Sequence, residues 1–328
     1  MKLVSLEMGS GGRLMQDFIR EKLLPVFKNR YLGLLHDSAL LPAGLALTTD
    51  SYTVDPIFFP GGDIGTLCVN GTVNDLVVSA ARPEYLSLAL IIEEGLEMAT
   101  LERILRSIKK TAVRTRVSIV TGDTKVVPRG QADKIYINTA GVGRLVGRPQ
   151  PEKIKPGDKI LVTGPVGEHG LAIMLARNNF RMTSRVRSDC APLIFLLPLW
   201  KNGALWMRDI TRGGLATVLS ELADKISYPL LVEEERIPLS RTLRGAVEIL
   251  GIDPLYLACE GRALLVVKES EANRALKFLR NSSSGRQTTV IGEVQDKTGR
   301  KGEALLRTSS GGLRLLEPLT SELLPRIC

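Results

Sequence analysis

The feature that most constrains this chain is its alternation. Short apolar runs of strand character are separated, over nearly the whole length, by segments of helical period. One stretch sets the pattern. Leu86 to Ile92 is an apolar run of the length expected for a buried strand. Met98, Leu101, Leu105, Ile108 and Ala112 then recur on one face of a helix, and the spacing predicts that this face is core. Val117 to Thr121 is again a strand, ending at Gly122-Asp123-Thr124-Lys125. A chain built this way folds as α/β or α+β. It has no short-period repeat and so is not a solenoid.

The rest follows the same rhythm. Gly9-Ser10-Gly11-Gly12 leads into a helix from Arg13 to about Phe27. Leu45 to Thr49 is a strand running into Asp50, and Gly61-Gly62-Asp63-Ile64-Gly65 opens a helix through Asn74-Asp75 to about Ala81. Lys134 to Val142 is a strand. Arg148-Pro149-Gln150-Pro151 is a turn-rich break. It divides a first domain, residues 1–148, from a second, residues 149–312. The second domain reads as strands at 159–163, 229–232, 255–258, 263–267, 288–294 and 303–308. Helices follow Gly164–Gly170 and Asp209–Gly214 and cover 241–250 and 272–279. Leu313 onward, residues 313–328, reads as a mobile tail.

The formal net charge of +9 admits nucleic acid, phosphorylated ligands or an acidic partner. The basic residues are dispersed, as in Arg103, Arg106, Lys109, Lys110, Arg114 and Arg116, and aromatics are only 5%, so no nucleic acid partner is expected. No apolar stretch approaches the roughly 18 residues of a membrane span. The N-terminus has no signal-peptide pattern. The four cysteines include no C-x-x-C pair, which argues against zinc and a disulfide framework and points to a reducing cytoplasm.

The residues that can carry chemistry are few. The chain stops on Pro325-Arg326-Ile327-Cys328. Either this is a frayed tail that ends on Cys, or Cys328 is a thiol loaded in one place and reacting in another. Asp50, Asp63, Asp123 and Asp209 each sit at a strand end or beside glycine, and Asp75 follows Asp63 by one helical run. Such carboxylates suit magnesium bound together with substrate phosphates; each taken alone suits a turn or cap. Gly9, Gly11 and Gly12 precede a helix start, where backbone N–H groups can face an anion. Lys125 is a phosphate partner or a solvated lysine, and Glu260 a proton acceptor or a turn carboxylate. No Walker loop, dinucleotide fingerprint, kinase signature or G-x-S-x-G serine is present, so any ATP binding must use another fold. His36 and His169 do not make a metal pair.

Taken in order, the motifs resemble the HypE family of nickel–iron hydrogenase maturation factors over essentially the full length. They are Gly9-Ser10-Gly11-Gly12-Arg13, Thr48-Thr49-Asp50-Ser51-Tyr52, Phe59-Pro60-Gly61-Gly62-Asp63-Ile64-Gly65 and Gly71-Thr72-Val73-Asn74-Asp75-Leu76. Thr121-Gly122-Asp123-Thr124-Lys125-Val126-Val127, Arg208-Asp209-Ile210-Thr211-Arg212-Gly213-Gly214 and Pro325-Arg326-Ile327-Cys328 complete the set. The last tetrapeptide separates the family from the aminoimidazole ribonucleotide synthetases, selenophosphate synthetases and thiamine-phosphate kinases. The resemblance implies the two-domain α/β aminoimidazole ribonucleotide synthetase-like (PurM-like) fold with a flexible C-terminal tail, as a homodimer paired through the first domains. It implies ATP at Gly9, Gly11, Gly12 and Thr211, and Mg2+ at Asp50, Asp63, Asp75, Asp123 and Asp209. Cys328 would receive a carbamoyl group from HypF, ATP would drive its dehydration to a thiocyanate, and the cyano group would pass to iron on the HypC–HypD complex. Lys125 and Glu260 would be the catalytic proton acceptors, Glu260 the better one. The chain departs from the family at Met8, Cys259 and Glu168, where His, Asn and Asp are common, and Cys259 puts the proton path in question. Other readings are a synthetase or kinase acting on a diffusible small molecule, and a non-catalytic carrier.

Overall fold

The computed structural model describes residues 3–9, 11–177, 185–226, 228–296, 302–319 and 326–328. Ser10 and Pro325 of the motifs, and tail residues 320–325, lie outside the described residues.

The N-terminal segment forms helices α1 (Arg13–Phe18) and α2 (Leu24–Phe27), joined by a wider helical turn. The first sheet then builds from β1 (Ala39–Leu41), β2 (Leu45–Tyr52), a small hairpin of β3 (Phe58–Phe59) and β4 (Gly62–Asp63), helix α3 (Ile64–Val78) and β5 (Ala81–Glu93). Helix α4 (Met98–Thr115), β6 (Ser118–Val127) and β7 (Ile135–Leu145) follow. Its strand order is β1-β2-β7-β5-β6. β5 and β6 run parallel because α4 carries the chain back between them; the other neighbours are antiparallel.

The second sheet comprises β8 (Lys159–Val162), β9 (Ala204–Asp209), β10 (Leu230–Glu233), β11 (Ala263–Val267), β12 (Thr289–Val294), β13 (Ala304–Arg307) and β14 (Leu313–Leu315). Its order is β14-β13-β10-β12-β8-β11-β9, with helices α5 (Glu168–Ala176), α6 (Gly214–Lys225), α7 (Arg241–Leu250) and α8 (Ala272–Arg280) between strands.

Helix α3 positions the site. It is mostly apolar and has no solvent face: every residue is buried except Thr66 and Asp75, which are half-buried, as a helix packed on every side must be. It lies against β2, β5 and β7 on one side and against β9 and the segment before it on the other. Trp200 Nε1 donates to the Val77 carbonyl at 2.8 Å, pinning the second domain to the helix. One hydrophobic cluster accordingly runs through both domains.

Several sequence expectations need correction. The core face of α4 is Ile104, Ile108, Thr111, Ala112 and Thr115, whereas Met98 and Leu105 are 66% and 39% exposed. Thr111 and Thr115 can be buried because their hydroxyls donate to the carbonyls of Ser107 and Thr111, both at 2.9 Å. Helix α3 stops at Val78, and Ala81 already belongs to β5. β6 does not end at Gly122; it continues through Asp123 and Lys125 to Val127. No strand forms at 255–258: a short helical turn, Pro254–Tyr256, leads into irregular backbone. The segment from Leu313 is not yet tail, because β14 pairs with β13 and Leu316 is buried.

Candidate active site

A cavity of about 220 Å³ opens between the domains. The first domain contributes Thr49 and Asp50 from β2 and Gly71 and Asp75 from α3; the second contributes Arg208, Asp209, Thr211, Arg212, Glu221 and Glu260. Gly11, Met15, Asp37 and Cys328 complete the wall. Gly71 must be glycine, since a Cβ there would stand 2.3 Å from the Tyr52 hydroxyl.

The cavity is acidic but braced by arginine. Arg208 pairs with Asp37 at 3.1 Å and with Glu221 at 2.9 Å. Thr48 Oγ1 donates to Asp75 Oδ2 at 2.8 Å. Burial pushes the Asp209 carboxyl up to about 8, helped by the Asp37 charge and opposed by Arg208. Burial, then the Asp209 charge, raises Asp75 well above the usual carboxylate range. Asp50 is also raised by burial, against the pull of Arg212. Carboxylates this crowded prefer a proton or a cation.

Glu260 lies just before β11 and is fully enclosed. Its backbone N–H donates to Asp189 Oδ1 at 3.1 Å, and its carbonyl accepts from Asn74 on α3 at 3.4 Å. Its Oε1 has no hydrogen-bond partner among the described residues. Burial, with Asp209 and Asp50 nearby, pushes this carboxyl well above its ordinary range.

Cys328 lines the same cavity and is 9% exposed. The backbone N–H and the hydroxyl of Thr53, just past β2, both donate to a Cys328 oxygen, at 2.9 and 3.2 Å.

The structure therefore brings together Cys328, Glu260, Asp50, Asp75, Asp209, Thr211 and Gly11. Gly9 and Gly12 stand beside them: Arg212 Nη1 donates to the Gly9 carbonyl at 2.6 Å, and a Cβ on Gly12 would meet the Leu319 carbonyl at 2.2 Å. Other predicted residues are elsewhere. Asp63 caps α3, accepting from the Thr66 N–H at 2.8 Å and from Ser107 Oγ, on α4, at 2.6 Å. It is a structural brace here, its oxygens spent on holding two helices. Asp123 and Lys125 pair with each other at 2.9 Å on β6, exposed, with β7 and β5 between them and Asp50. Cys259 is fully buried and its Sγ accepts from the Gly167 N–H at 3.1 Å; it does not line the cavity.

Sequence reasoning missed Asp37 and Glu221, whose segments carry no local pattern. It quoted Arg208 and Arg212 only as motif letters, although two arginines flanking Asp209 were the available signal. It also set aside His169, which contacts the Ile327 carbonyl.

The chain matches two family models, AIR synthase related protein, N-terminal domain, over residues 35–145, and the C-terminal domain of the same family over residues 155–304. It is 44% identical to the carbamoyl dehydratase HypE of Rhodobacter capsulatus, covering 99% of this chain and 98% of the relative. Among solved structures it is similar to HypE in complex with ATP, with 44% identity and a TM-score of 0.83 over 99% of this chain and 100% of that one. It is also similar to HypE in a HypE–HypF complex, with 39% identity and a TM-score of 0.87 over 92% and 99%.

Proposed function

Because the chain belongs to the AIR synthase related family and, within it, to the HypE carbamoyl dehydratases, we propose that it converts a carbamoyl group on Cys328 to a thiocyanate, driven by ATP. The thiocyanate supplies the cyanide ligand for the iron of nickel–iron hydrogenase. The observation that carries this reading is the burial of Cys328 in one cavity with Glu260 and the acidic residues.

The balance is simple. The thiocarbamate Cys–S–C(=O)–NH2 and ATP give Cys–S–C≡N, ADP and phosphate, so the elements of water leave as phosphate and protons. Oxygen alone is a poor leaving group, and phosphorylation makes it a good one. Two N–H protons must then be removed, and Glu260, enclosed and with an unpartnered oxygen, is the acceptor within the cavity. Burial holds its pKa well above the ordinary carboxylate range, which makes the ionised carboxylate a stronger base than a solvated one. A neighbouring cavity of about 300 Å³ shares Gly11, Met15, Arg208 and Glu221 with the first, and its Met15, Ile19 and Leu35 offer an apolar wall for the nucleotide base beside the charged Arg20, Asp224 and Lys225.

Magnesium fits the donor set. Among the described residues no three ligating side chains stand close enough to hold a metal by themselves. Asp50, Asp75 and Asp209 nevertheless face one space, as expected where one or two carboxylates share an ion with phosphates. Bound there, the ion would neutralise phosphate charge.

Asp123 and Lys125 join the site by dimerisation. β6 is an edge strand exposed along almost its whole length, with Val120 and Val126 60% and 67% exposed. Long apolar edges of this kind are normally covered. A second copy on this surface would supply Asp123 and Lys125 of the partner subunit to the cavity. Loading by HypF requires Cys328 to leave the cavity, and delivery to a HypC–HypD complex requires it again; the motion belongs to the chain beyond Leu319, since β14 pairs with β13 and residues 316 and 319 are hydrogen-bonded to the body of the protein. All four cysteines are free, as a carrier thiol in a reducing cytoplasm needs. No helix of the described residues is long and apolar enough to cross a membrane.

The test is incubation with HypF, carbamoyl phosphate and ATP, followed by the mass of the C-terminal peptide. Conversion of carbamoyl to thiocyanate is expected; a carbamoyl group that persists with ATP present overturns the proposal. A kinase of a diffusible substrate would keep full turnover in Cys328→Ala, whereas this enzyme loses all of it.

A further inference from the structure

The last three described residues are held carbonyl by carbonyl. The Arg326 carbonyl accepts from the Asp55 N–H at 3.2 Å and from Arg177 Nη2 at 2.8 Å. The Ile327 carbonyl meets His169 Nε2 at 2.8 Å, and a Cys328 oxygen accepts from Thr53. Arg177 Nε also donates to the Asp55 carbonyl at 2.7 Å, so one guanidinium clasps both segments. The side chains set direction. Arg326 donates to the Thr53 carbonyl at 2.8 Å and pairs with Asp133 at 2.7 Å, while Ile327 is buried in the core cluster shared by the domains.

His169 is specialised for this contact. A carbonyl can only accept, so Nε2 carries the proton and Nδ1 faces Ser188 Oγ at 2.7 Å as the acceptor. Ser188 is itself fixed, its N–H donating to the Pro60 carbonyl at 2.7 Å. Phe59 stands edge-on to the ring at 5.4 Å. Burial lowers the His169 pKa to about 4, so the ring stays neutral and keeps this tautomer at neutral pH.

We propose that His169 and Arg177 are positioning residues. With Thr53 and the Asp133–Arg326 pair they form a dock that fixes where the Cys328 sulfur meets the cavity. This role presupposes that Cys328 carries the reacting group. Neither residue lines the cavity, so each acts through the backbone of residues 326 and 327.

The dock is read without nucleotide or partner, by the rate at which iodoacetamide modifies Cys328 in the full chain. His169→Ala is expected to raise that rate about five- to tenfold, the worth of one buried hydrogen bond. His169→Gln, whose amide N–H reaches towards the Nε2 position, restores most of the protection. Asp133→Ala, a surface change, raises the rate about two- to fivefold. Cys68 and Cys259 are fully buried and stay unmodified in a folded variant. Should they react in His169→Ala, Asp133→Ala decides the question alone. Wild-type alkylation in both variants overturns the dock. After loading by HypF, His169→Ala should lower kcat for thiocyanate formation with the KM for ATP unchanged. An unchanged kcat overturns the positioning role. If the wild type itself forms no thiocyanate, the carrier reading fails, while the alkylation rates still decide the dock.

Discussion

Asp189 Oδ1 accepts the backbone N–H of Glu260 at 3.1 Å, so the proposed proton acceptor hangs from a second buried carboxylate. The Asp189 Oδ2 lies 3.6 Å from Arg262 Nε. The Glu260 loop is thus anchored from the second domain, while Asn74 of α3 holds its carbonyl from the first. The acceptor keeps its place only if both domains are packed together. Glu260→Gln preserves shape and packing but cannot take a proton. We expect it to accept carbamoyl on Cys328 normally and to slow thiocyanate formation by about 10²–10⁴-fold, measured by quenched mass spectrometry of the C-terminal peptide. A wild-type rate in that variant removes Glu260 from the chemistry.

Lys125 tests the shared site. Lys125→Ala and Cys328→Ala should each be inactive alone. Mixed after reversible dissociation, they should recover about a quarter of wild-type activity, because half the dimers are mixed and each holds one intact site. No recovery would mean that Lys125 does not act across subunits.

Asp209 sets a pH dependence. Its folded pKa of about 8 lies above the ordinary 3.8. The folded protein therefore keeps a proton that the unfolded chain releases between these values, and its contribution to stability is full at low pH and lost as pH rises towards 8. Without nucleotide, Asp209→Asn should flatten the decline of Tm between about pH 4 and 8 and raise Tm at pH 8. The same variant should bind ATP with magnesium more weakly. A Tm profile parallel to wild type would show that Asp209 is not the titrating group.

Cys259 stands where the family commonly has an amide, yet its sulfur is engaged by the Gly167 N–H and lies outside the cavity. Cys259→Ala leaves that buried N–H without a partner, and should destabilise the fold by about 1–2 kcal/mol in urea unfolding. Thiocyanate formation should remain within about twofold, since the change costs a structural bond and no cavity group. A loss of dehydration at full stability would place the thiol in the proton path after all.

Much of the site could be read as letters but not as a place. Asp50 and Asp209 stood out at strand ends or beside glycine and Asp75 by its place one helical run after Asp63, and the three line one cavity. Asp63 had the same local look and proves to be a helix cap, a distinction that rests on Ser107, forty-four residues away on α4. Asp123 and Lys125 also had the look of a site, but the edge position of β6 takes them away from the cavity of their own chain. The α4 face was misjudged because Thr111 and Thr115, polar by type, hide their hydroxyls in helix carbonyls.

By itself the sequence determined the alternation of strands and helices and the family, since period, turn chemistry and motif order are local properties of a chain. Tertiary structure alone decided which carboxylates share a space, that Asp37 and Glu221 belong with them, and that Cys328 rests among them with His169 on the carbonyl before it. The reason is that α3 is wedged between two sheets and draws in segments from residue 11 to residue 328. Proximity of that range is produced by packing and leaves no trace in local spacing.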